Sequence, residues 1–194
     1  MGKVIIRFDP EHFMDRTGVY DPEDREIIRK EIYESPLWTD MDKGILSEEE
    51  MIERVRPLLP GHLRQYTERL IAGWCDPIEI VEGMDDLVKE LKEKSYRIYL
   101  LSNASVMQKK YWKAVGCSKY FDGTVVSAYE KVMKPDRKIY EILLQRYGLK
   151  AEECLFIDDR KINLDAAEEL GFSVYLFDGD SGRLRTFLQS EEIL

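Results

Sequence analysis

The sequence predicts an α/β protein with a small all-helical segment inserted near its amino end, and two observations lead to this prediction. Residues from Asp21 to Trp74 carry only helical periodicity, whereas short apolar segments alternate with helical patterns from Val81 onward. Near-continuous apolar strands that alternate with helices are typical of a parallel, Rossmann-like sheet covered on both faces. The predicted division is a helical cap over 12–78 and an α/β core formed by 1–11 and 79–194.

Three or four short helices are predicted in the cap. Asp21 followed by Pro22 is typical of an N-cap with proline at the first helical position, and it opens an isoleucine-striped segment. Ser47 followed three residues later by Glu50 fits a capping box at the start of a second helix. A third helix is expected over 62–74.

The core is predicted to alternate four strands with four helices. Glycines at 116, 148 and 171 mark the ends of helices, and the strands are short apolar runs. In chain order we expect a helix over 83–94, the strand YRIYLLSN, a helix over 104–115, the strand GTVVSA, a helix over 135–147, the strand ECLFIDD, a helix that ends at Leu170 and the strand SVYLF.

Composition excludes several classes of function for this chain of 194 residues. The formal net charge of −9 is spread along the chain, which argues against binding to nucleic acid or to an anionic membrane. No apolar run approaches the roughly 20 residues that span a bilayer, and the amino end does not resemble a signal peptide. Three widely spaced cysteines form no zinc motif. We therefore expect a cytoplasmic protein that binds neither nucleic acid nor membrane, and we expect it to be a monomer or a homodimer.

Polar side chains follow the predicted strands, where a parallel α/β sheet binds its ligands. Ser102 and Asn103 end one strand, and they would either cap the next helix or hold an anion at its amino end. Lys134 precedes a predicted helix, and it is either a solvated loop lysine or a cation for a phosphoryl group. Asp158 and Asp159 end a later strand, where they would either cap a helix or bind a hard cation such as Mg²⁺. Asn163, one turn further on, could orient one of these carboxylates.

The order and spacing of these residues resemble the haloacid dehalogenase (HAD) superfamily. YRIYLLSNAS looks like its second motif, KVMKPDRKIY like its third and ECLFIDDRKINLDAAEELG like its fourth. The resemblance extends over essentially the whole chain, because a helical cap inserted between the first and second motifs is similar to the segment from Asp21 to Trp74. The nearest branch is the sugar-phosphatase-like one that includes the amino-terminal phosphatase domain of some epoxide hydrolases.

The resemblance implies a Mg²⁺-dependent phosphatase that hydrolyses a small phosphate ester, with sugar phosphates as the expected class, through an aspartyl-phosphate. Carried over to this sequence, Ser102 would hold a phosphoryl oxygen and Asn103 would shape the loop. Lys134 would pair with the nucleophile and the phosphate. Asp159 would be the direct metal ligand, supported by Asp158 and Asn163.

The first motif of the family, an apolar strand that ends in the nucleophilic Asp, departs from the pattern here. Aligning Gly2 with the glycine of that motif places the nucleophile one position before Met1, which makes the motif truncated. A competing alignment takes Val4–Phe8 as the strand and Asp9 as the nucleophile, with Glu11 as its acid/base. The first alignment is favoured, because Pro10 and the residues that follow do not fit the second.

Two further alternatives stay open at this point. One is a catalytically silent fold that binds a phosphorylated ligand or a protein partner, and the other is a metal-independent haloacid dehalogenase. If the chain folds as printed, we expect Val4–Phe8 to enter the sheet in place of the first strand, or another subunit to fill that place, since an unfilled position would leave ladder groups unpaired.

Overall fold

The computed structural model describes all residues from 1 to 194 and has four strands and eleven α-helices. None of the helices is both long enough and apolar enough to cross a membrane. The strands are β1 (Tyr99–Ser102), β2 (Gly123–Val126), β3 (Leu155–Asp158) and β4 (Ser173–Leu176). The helices are α1 (Pro10–Thr17), α2 (Pro22–Ile28), α3 (Pro36–Asp42), α4 (Glu48–Val55), α5 (Thr67–Ile71), α6 (Met84–Glu93), α7 (Gln108–Trp112), α8 (Ser127–Glu130), α9 (Arg137–Tyr147), α10 (Lys161–Glu168) and α11 (Ser181–Ser190).

All four strands are parallel to their partners, which confirms the predicted fold class. β1 pairs with β2, with Leu101 opposite Val125, and β3 pairs with β4, with Ile157 opposite Tyr175. The two pairs are separate two-stranded sheets, so β1 and β3 each have one edge without a partner strand.

Helices cover both faces of the strands, as their continuous apolar character predicts. Leu155 and Ile157 pack into one cluster with α6 and α11, whereas Phe156 between them packs into a second cluster with α9 and α10. This alternation follows from the two-residue period of a strand. The buried members of the second cluster include Ile139, Tyr140, Leu143, Leu164, Ala167 and Phe172.

The helical segment has an apolar cluster of its own, whose twelve buried members all lie between Phe13 and Ile71. Two of its helices begin at the N-cap residues that the sequence predicts. Asp21 caps α2 through the backbone N–H groups of Glu23 and Asp24, and Ser47 forms the complete capping box at the start of α4. The domain boundaries at 12 and 78 stay a prediction.

Several helices differ from those that the sequence predicts. α1 and α11 were not predicted, although Asp9 and Asp180 cap them through side-chain bonds to backbone N–H groups. The helix expected over 62–74 consists of a 3-10 turn at 64–66 followed by the short α5. The helix expected over 104–115 shortens to α7, because the residues after Ser102 form an irregular loop before it begins.

The structure contradicts the expectation that Val4–Phe8 enters the sheet. The backbone N–H groups of Val4, Ile5 and Ile6 all donate to the carbonyl oxygen of Met1, at 2.8–3.2 Å, and wind the segment into turns. Arg7 N–H then donates to the Glu79 carbonyl at 2.8 Å, so the segment pairs outside the sheet. Burial of the three apolar side chains against α6 and α11 satisfies their hydrophobicity without a strand.

Close contacts join the helical segment to the core beside the loop that follows β1. The hydroxyl of Ser127 donates to the Asp42 carbonyl at 2.5 Å, and the Lys131 ammonium donates to the Gly44 carbonyl. Gly44 has φ +66°, and a Cβ there would overlap with the Ala128 carbonyl oxygen. Glycine is therefore required for this close approach of the two backbones.

Candidate active site

Lys134 connects the carboxyl ends of β1 and β3. Its ammonium donates to the Asp158 carboxylate at 2.6 Å and to the Leu101 carbonyl at 3.0 Å. Lys134 and Asp158 are only 4% and 3% exposed, so the pair is almost fully removed from water. The alternative interpretation of Lys134 as a solvated loop lysine is therefore wrong.

Asp158 accepts two more hydrogen bonds at its other oxygen, from the Asn163 side-chain amide at 2.8 Å and from the Arg160 N–H at 3.0 Å. Burial raises the pKa of Asp158, but the charge of Lys134 and these hydrogen bonds outweigh burial and hold the pKa below its usual range. Because the folded pKa is depressed, this stabilisation is present above the unfolded pKa and is lost as the pH falls through the folded value.

Asn103 holds the backbone of Lys134 in place. Its side-chain amide donates to the Lys134 carbonyl at 2.9 Å, and its side-chain oxygen accepts from the Lys134 N–H at 2.8 Å. The Lys134–Pro135 peptide bond is cis. This reciprocal pair of bonds ties the loop after β1 to the loop that carries the lysine.

Replacing Asn103 with alanine is expected to lower the free energy of unfolding by about 2–3 kcal/mol, because two half-buried backbone groups lose their partners. Urea denaturation measures this difference. Asn103→Asp, which keeps an acceptor for the Lys134 N–H, is expected to lose less at neutral pH. Equal stability of Asn103→Ala and the parent would contradict the assigned bonds.

Ser102 and Asp159 are the site residues that make few contacts within the chain. Ser102 is 1% exposed, and its hydroxyl has only a long 3.3 Å bond to the neighbouring Asn103 carbonyl. It does not cap α7, whose N-cap is Met107. Asp159 is half-buried and makes no hydrogen bond or ion pair. Its carboxylate and the Ser102 hydroxyl are therefore available to a ligand.

The amino group of Met1 lies beside the same charges. Burial and the nearby Lys134 ammonium lower the pKa of this amine to about 5, against the opposing effect of Asp158 and Asp159. Sequence reasoning did not anticipate this electrostatic environment, although the alignment that puts the first-motif Asp immediately before Met1 agrees with it.

The structure does not bring Asp9 to Lys134. One Asp9 oxygen accepts from the Glu11 and His12 N–H groups at the start of α1, and the other accepts from Arg7 at 3.1 Å. These bonds hold the pKa of Asp9 below its usual value against the opposing effect of burial. The alignment with Asp9 as nucleophile is corrected on this ground, since its carboxylate is occupied as a helix cap.

Sequence reasoning missed two acids of the helical segment, the buried Glu48 and the half-buried Asp42. Glu48, 4% exposed, accepts a hydrogen bond from the Ser105 hydroxyl. Burial, with a contribution from the charge of Glu48, raises the pKa of Asp42 to about 7, and a hydrogen bond from Trp38 opposes the shift. No local signal predicts the environment of Glu48, because its contact with Ser105 joins segments more than fifty residues apart.

The arrangement suits an anion and a hard cation. A buried ammonium, a buried hydroxyl and a carboxylate without a partner meet where two parallel strands end. The side-chain oxygen of Asn163 is also buried without a hydrogen-bond partner, so acceptor capacity remains at this end of β3. No group of three His, Cys, Asp or Glu side chains gathers anywhere. A cation held here would therefore need other oxygen ligands, as Mg²⁺ takes water and phosphate oxygens.

Comparison with known proteins agrees with the fold. A family model described as haloacid dehalogenase-like hydrolase matches residues 17–171. The chain is 23% identical over 186 residues to D-ribitol-5-phosphate phosphatase from Bacteroides thetaiotaomicron, a match over 90% of this chain and 87% of the relative. It is 25% identical over 145 residues to flavin mononucleotide hydrolase 1 from Arabidopsis thaliana, a match over 73% of this chain but only 57% of that relative's length.

A solved structure matches almost the whole chain. It is a haloacid dehalogenase family enzyme from Bacteroides thetaiotaomicron in complex with magnesium and inorganic phosphate. The TM-score is 0.72 at 25% sequence identity, and the match covers 95% of each chain.

Proposed function

Because the chain belongs to the haloacid dehalogenase-like hydrolase family, we propose that it is a Mg²⁺-dependent phosphatase of small phosphate esters, with sugar phosphates as its substrate class. The observation that carries the proposal is the buried Lys134–Asp158 pair, with Ser102 and Asp159 beside it at the strand ends. The similarity to a ribitol-phosphate phosphatase and to a flavin mononucleotide hydrolase supports phosphate esters as the substrates.

In this proposal Lys134 neutralises negative charge on the phosphoryl group, and the Ser102 hydroxyl donates to one phosphoryl oxygen. Such preorganised donors stabilise the charge that develops during transfer, and they are most effective in a site with little water. Asn103 keeps Lys134 in position through its two backbone bonds.

The residues present fit Mg²⁺, since Asp159 offers a carboxylate that no other group in the chain engages. Asp159 would hold the metal, while Asp158 stays bonded to Lys134 and Asn163 and contributes negative charge nearby. When bound, Mg²⁺ supplies Lewis-acid polarisation of the phosphoryl oxygens. Oxygen ligands with few protein carboxylates are the usual environment of this ion.

The attacking carboxylate, in our assignment, belongs to the residue bonded directly to the amino side of Met1. The charges of Lys134, Asp158 and Asp159 all act on the buried Met1 amine, and this supports the assignment. Asp9 does not meet this requirement, since it caps α1.

A second candidate is a protein that binds a phosphorylated ligand without hydrolysing it. One observation favours it: in the printed chain the only carboxylate that engages Lys134 is Asp158, which is already satisfied by three donors. In such a protein the phosphate would be held by Lys134 and Ser102 and the Mg²⁺ by Asp159, and no nucleophile would be present.

Release of inorganic phosphate from a panel of sugar phosphates, flavin mononucleotide and an aryl phosphate tests the proposal. The assay compares the printed chain with a chain extended before Met1 by an apolar strand that ends in Phe-Asp, each with Mg²⁺ and with chelator. We expect Mg²⁺-dependent release only from the extended chain. Binding of phosphate by calorimetry without release from either chain would favour the second candidate and overturn the first.

Asp159→Asn in the extended chain is expected to reduce Mg²⁺-dependent phosphate release by at least about 100-fold, because loss of even a supporting group at a metal site costs 10–100-fold. Asp165→Asn is the matched control, since Asp165 is an exposed acid on α10 that pairs with Lys161. Full activity of Asp159→Asn would remove Asp159 from the metal site.

A further inference from the structure

One segment of the chain carries a net charge opposite to that of the rest. Residues 94–121 contain six lysine or arginine side chains and no aspartate or glutamate. The whole chain has 29 basic and 38 acidic residues, so the other residues hold 23 basic against 38 acidic side chains, a net charge of −15. Four of the six cations belong to α7 or to the seven residues that follow it, and we call them the lysine surface: Lys109, Lys110, Lys113 and Lys119.

The lysine surface has no carboxylate partners. All four of its lysines are exposed, and none forms an ion pair or a side-chain hydrogen bond. In contrast, Lys89 and Lys161, which are also exposed, each pair with a carboxylate four residues away. Lys109 and Lys110 stand four and three residues before Lys113, a spacing at which like charges weaken a helix. The stability of α7 therefore does not account for these lysines.

The buried side of α7 fixes the orientation of the lysine surface. Gln108 and Tyr111 are buried, so the lysines of the helix lie on its opposite, exposed side. Trp112 is half-buried, and its ring packs edge-on against Phe121 at a centroid distance of 5.0 Å. This contact holds the turn over 116–120, which carries the fourth lysine, next to α7. The four cations therefore belong to one part of the protein surface.

The charge around the lysine surface selects the size of its partner. Electrostatic interactions at physiological salt are screened over about 8 Å, so a short anion bound at α7 responds mainly to the lysines. A nucleic acid or an anionic membrane extends far beyond one short helix, and it meets the net charge of −15 on the rest of the chain. An acidic peptide segment of about five residues spans at most about 18 Å, so it stays on the lysine surface.

Aromatic side chains beside the lysines favour a peptide over a small anion. Trp112 and Tyr120 are both half-buried, so each remains partly accessible to a ligand. The Lys119 ammonium lies 5.1 Å from the centre of the Tyr120 ring. An apolar side chain of a peptide can pack on such rings, whereas inorganic phosphate or a single carboxylate uses only the charges.

We propose that the lysine surface is a docking site for an acidic peptide segment of another protein. Carboxylates of that segment pair with the lysines, and one apolar side chain contacts Trp112. Such charge pairing speeds association and selects the partner by its charge. The proposal does not rest on the proposed function, because none of the four lysines belongs to the site at the strand ends.

Fluorescence anisotropy of a labelled peptide, Glu-Asp-Phe-Glu-Asp, tests the proposal on the printed chain at about 0.15 M salt. We expect a dissociation constant of about 100 μM or below. A variant with Lys109→Gln, Lys110→Gln and Lys113→Gln is expected to bind the peptide at least about tenfold more weakly, because three charge pairs are lost. Arginine at the same three positions keeps the charge, and it is expected to preserve binding.

The matched control removes the same net charge elsewhere, through Lys89→Gln, Lys150→Gln and Lys161→Gln. It is expected to alter peptide binding by less than about twofold, because these lysines lie outside the lysine surface. Equal weakening in both triple variants would show that the peptide responds only to the overall charge, and it would overturn the proposal. Failure of the parent chain to bind the peptide would overturn it as well.

A second peptide, Gln-Asn-Phe-Gln-Asn, needs no change to the protein and covers the case in which a lysine variant does not fold. We expect it to bind at least about tenfold more weakly than the acidic peptide, and equal binding of the two would overturn the proposal.

Three further probes compare the other possible partners. A single-stranded oligonucleotide of about 20 nucleotides and vesicles that contain phosphatidylserine are expected to bind more weakly than the acidic peptide. Tighter binding of either one would assign the lysine surface to nucleic acid or to a membrane and overturn the proposal. Sedimentation of the parent chain is expected to give the same mass as that of the glutamine variant. A larger assembly that only the parent forms would assign the surface to a second copy of the chain, and it would also overturn the proposal.

Discussion

Lys134→Met is expected to lower the free energy of unfolding by about 3–5 kcal/mol at pH 7, the usual cost of removing one partner of a buried ion pair. Asp158 would remain 3% exposed with its charge no longer balanced by the ammonium. Methionine preserves most of the side-chain length, so the decrease in the free energy of unfolding measures the loss of the positive charge rather than the creation of a cavity. Urea denaturation followed by circular dichroism gives the difference.

Two companion variants isolate this effect. Lys134→Met combined with Asp158→Leu is expected to recover part of the stability, since no uncompensated charge then stays buried. Lys161→Met removes an exposed lysine that pairs with Asp165, and it is expected to change stability by less than about 0.5 kcal/mol. A loss below about 1 kcal/mol in Lys134→Met would mean that water reaches the pair.

Asp42→Asn is expected to stabilise the protein in alkaline solution and to leave it almost unchanged in acid. Burial and the charge of Glu48 raise the pKa of Asp42 from 3.8 to about 7, so its neutral form is the one that the fold favours. The associated stability is fully present below pH 4 and is lost as the pH rises through 7. Asparagine cannot ionise, and we expect it to be more stable than the parent by about 2–4 kcal/mol at pH 8.

Thermal unfolding at pH 4.5 and pH 8 measures this dependence. The matched control is Asp40→Asn on the same helix, whose side chain makes no hydrogen bond or ion pair and which is expected to shift both temperatures by little. A stabilisation of Asp42→Asn that is the same at both pH values would contradict the raised pKa.

The chemistry of the strand ends could be predicted because it is written in local patterns. An apolar run that stops at Ser102, and another that stops at Asp158, identify the edge of the sheet where ligands bind, and Lys134 follows between them in the chain. The structure brings Lys134 and Asp158 to 2.6 Å, as their shared edge predicts. Helix starts at Asp21 and Ser47 were predictable for the same reason, since a cap acts within four residues.

The first eight residues show where such patterns fail. VIIRF has the composition of a strand, but strand formation depends on a partner at hydrogen-bonding distance rather than on composition. Here the nearest partners are the Met1 carbonyl and the backbone of residues 79–81, so the segment turns and pairs outside the sheet. The interpretation of Asp9 as a nucleophile failed in a similar way, because the sequence did not predict α1, the helix that Asp9 caps.

The parallel α/β core, its helical segment and the polar residues at the strand ends could be predicted from local patterns, because apolar periodicity and helix caps act over short distances. The burial of Lys134, the contact of Glu48 with the loop after β1 and the apolar cleft between β1 and β3 arise only when the chain folds. These features depend on contacts between segments far apart in the chain. Such contacts bury the Lys134–Asp158 pair and shift the pKa of Asp158, and they decide which strand edges have a partner.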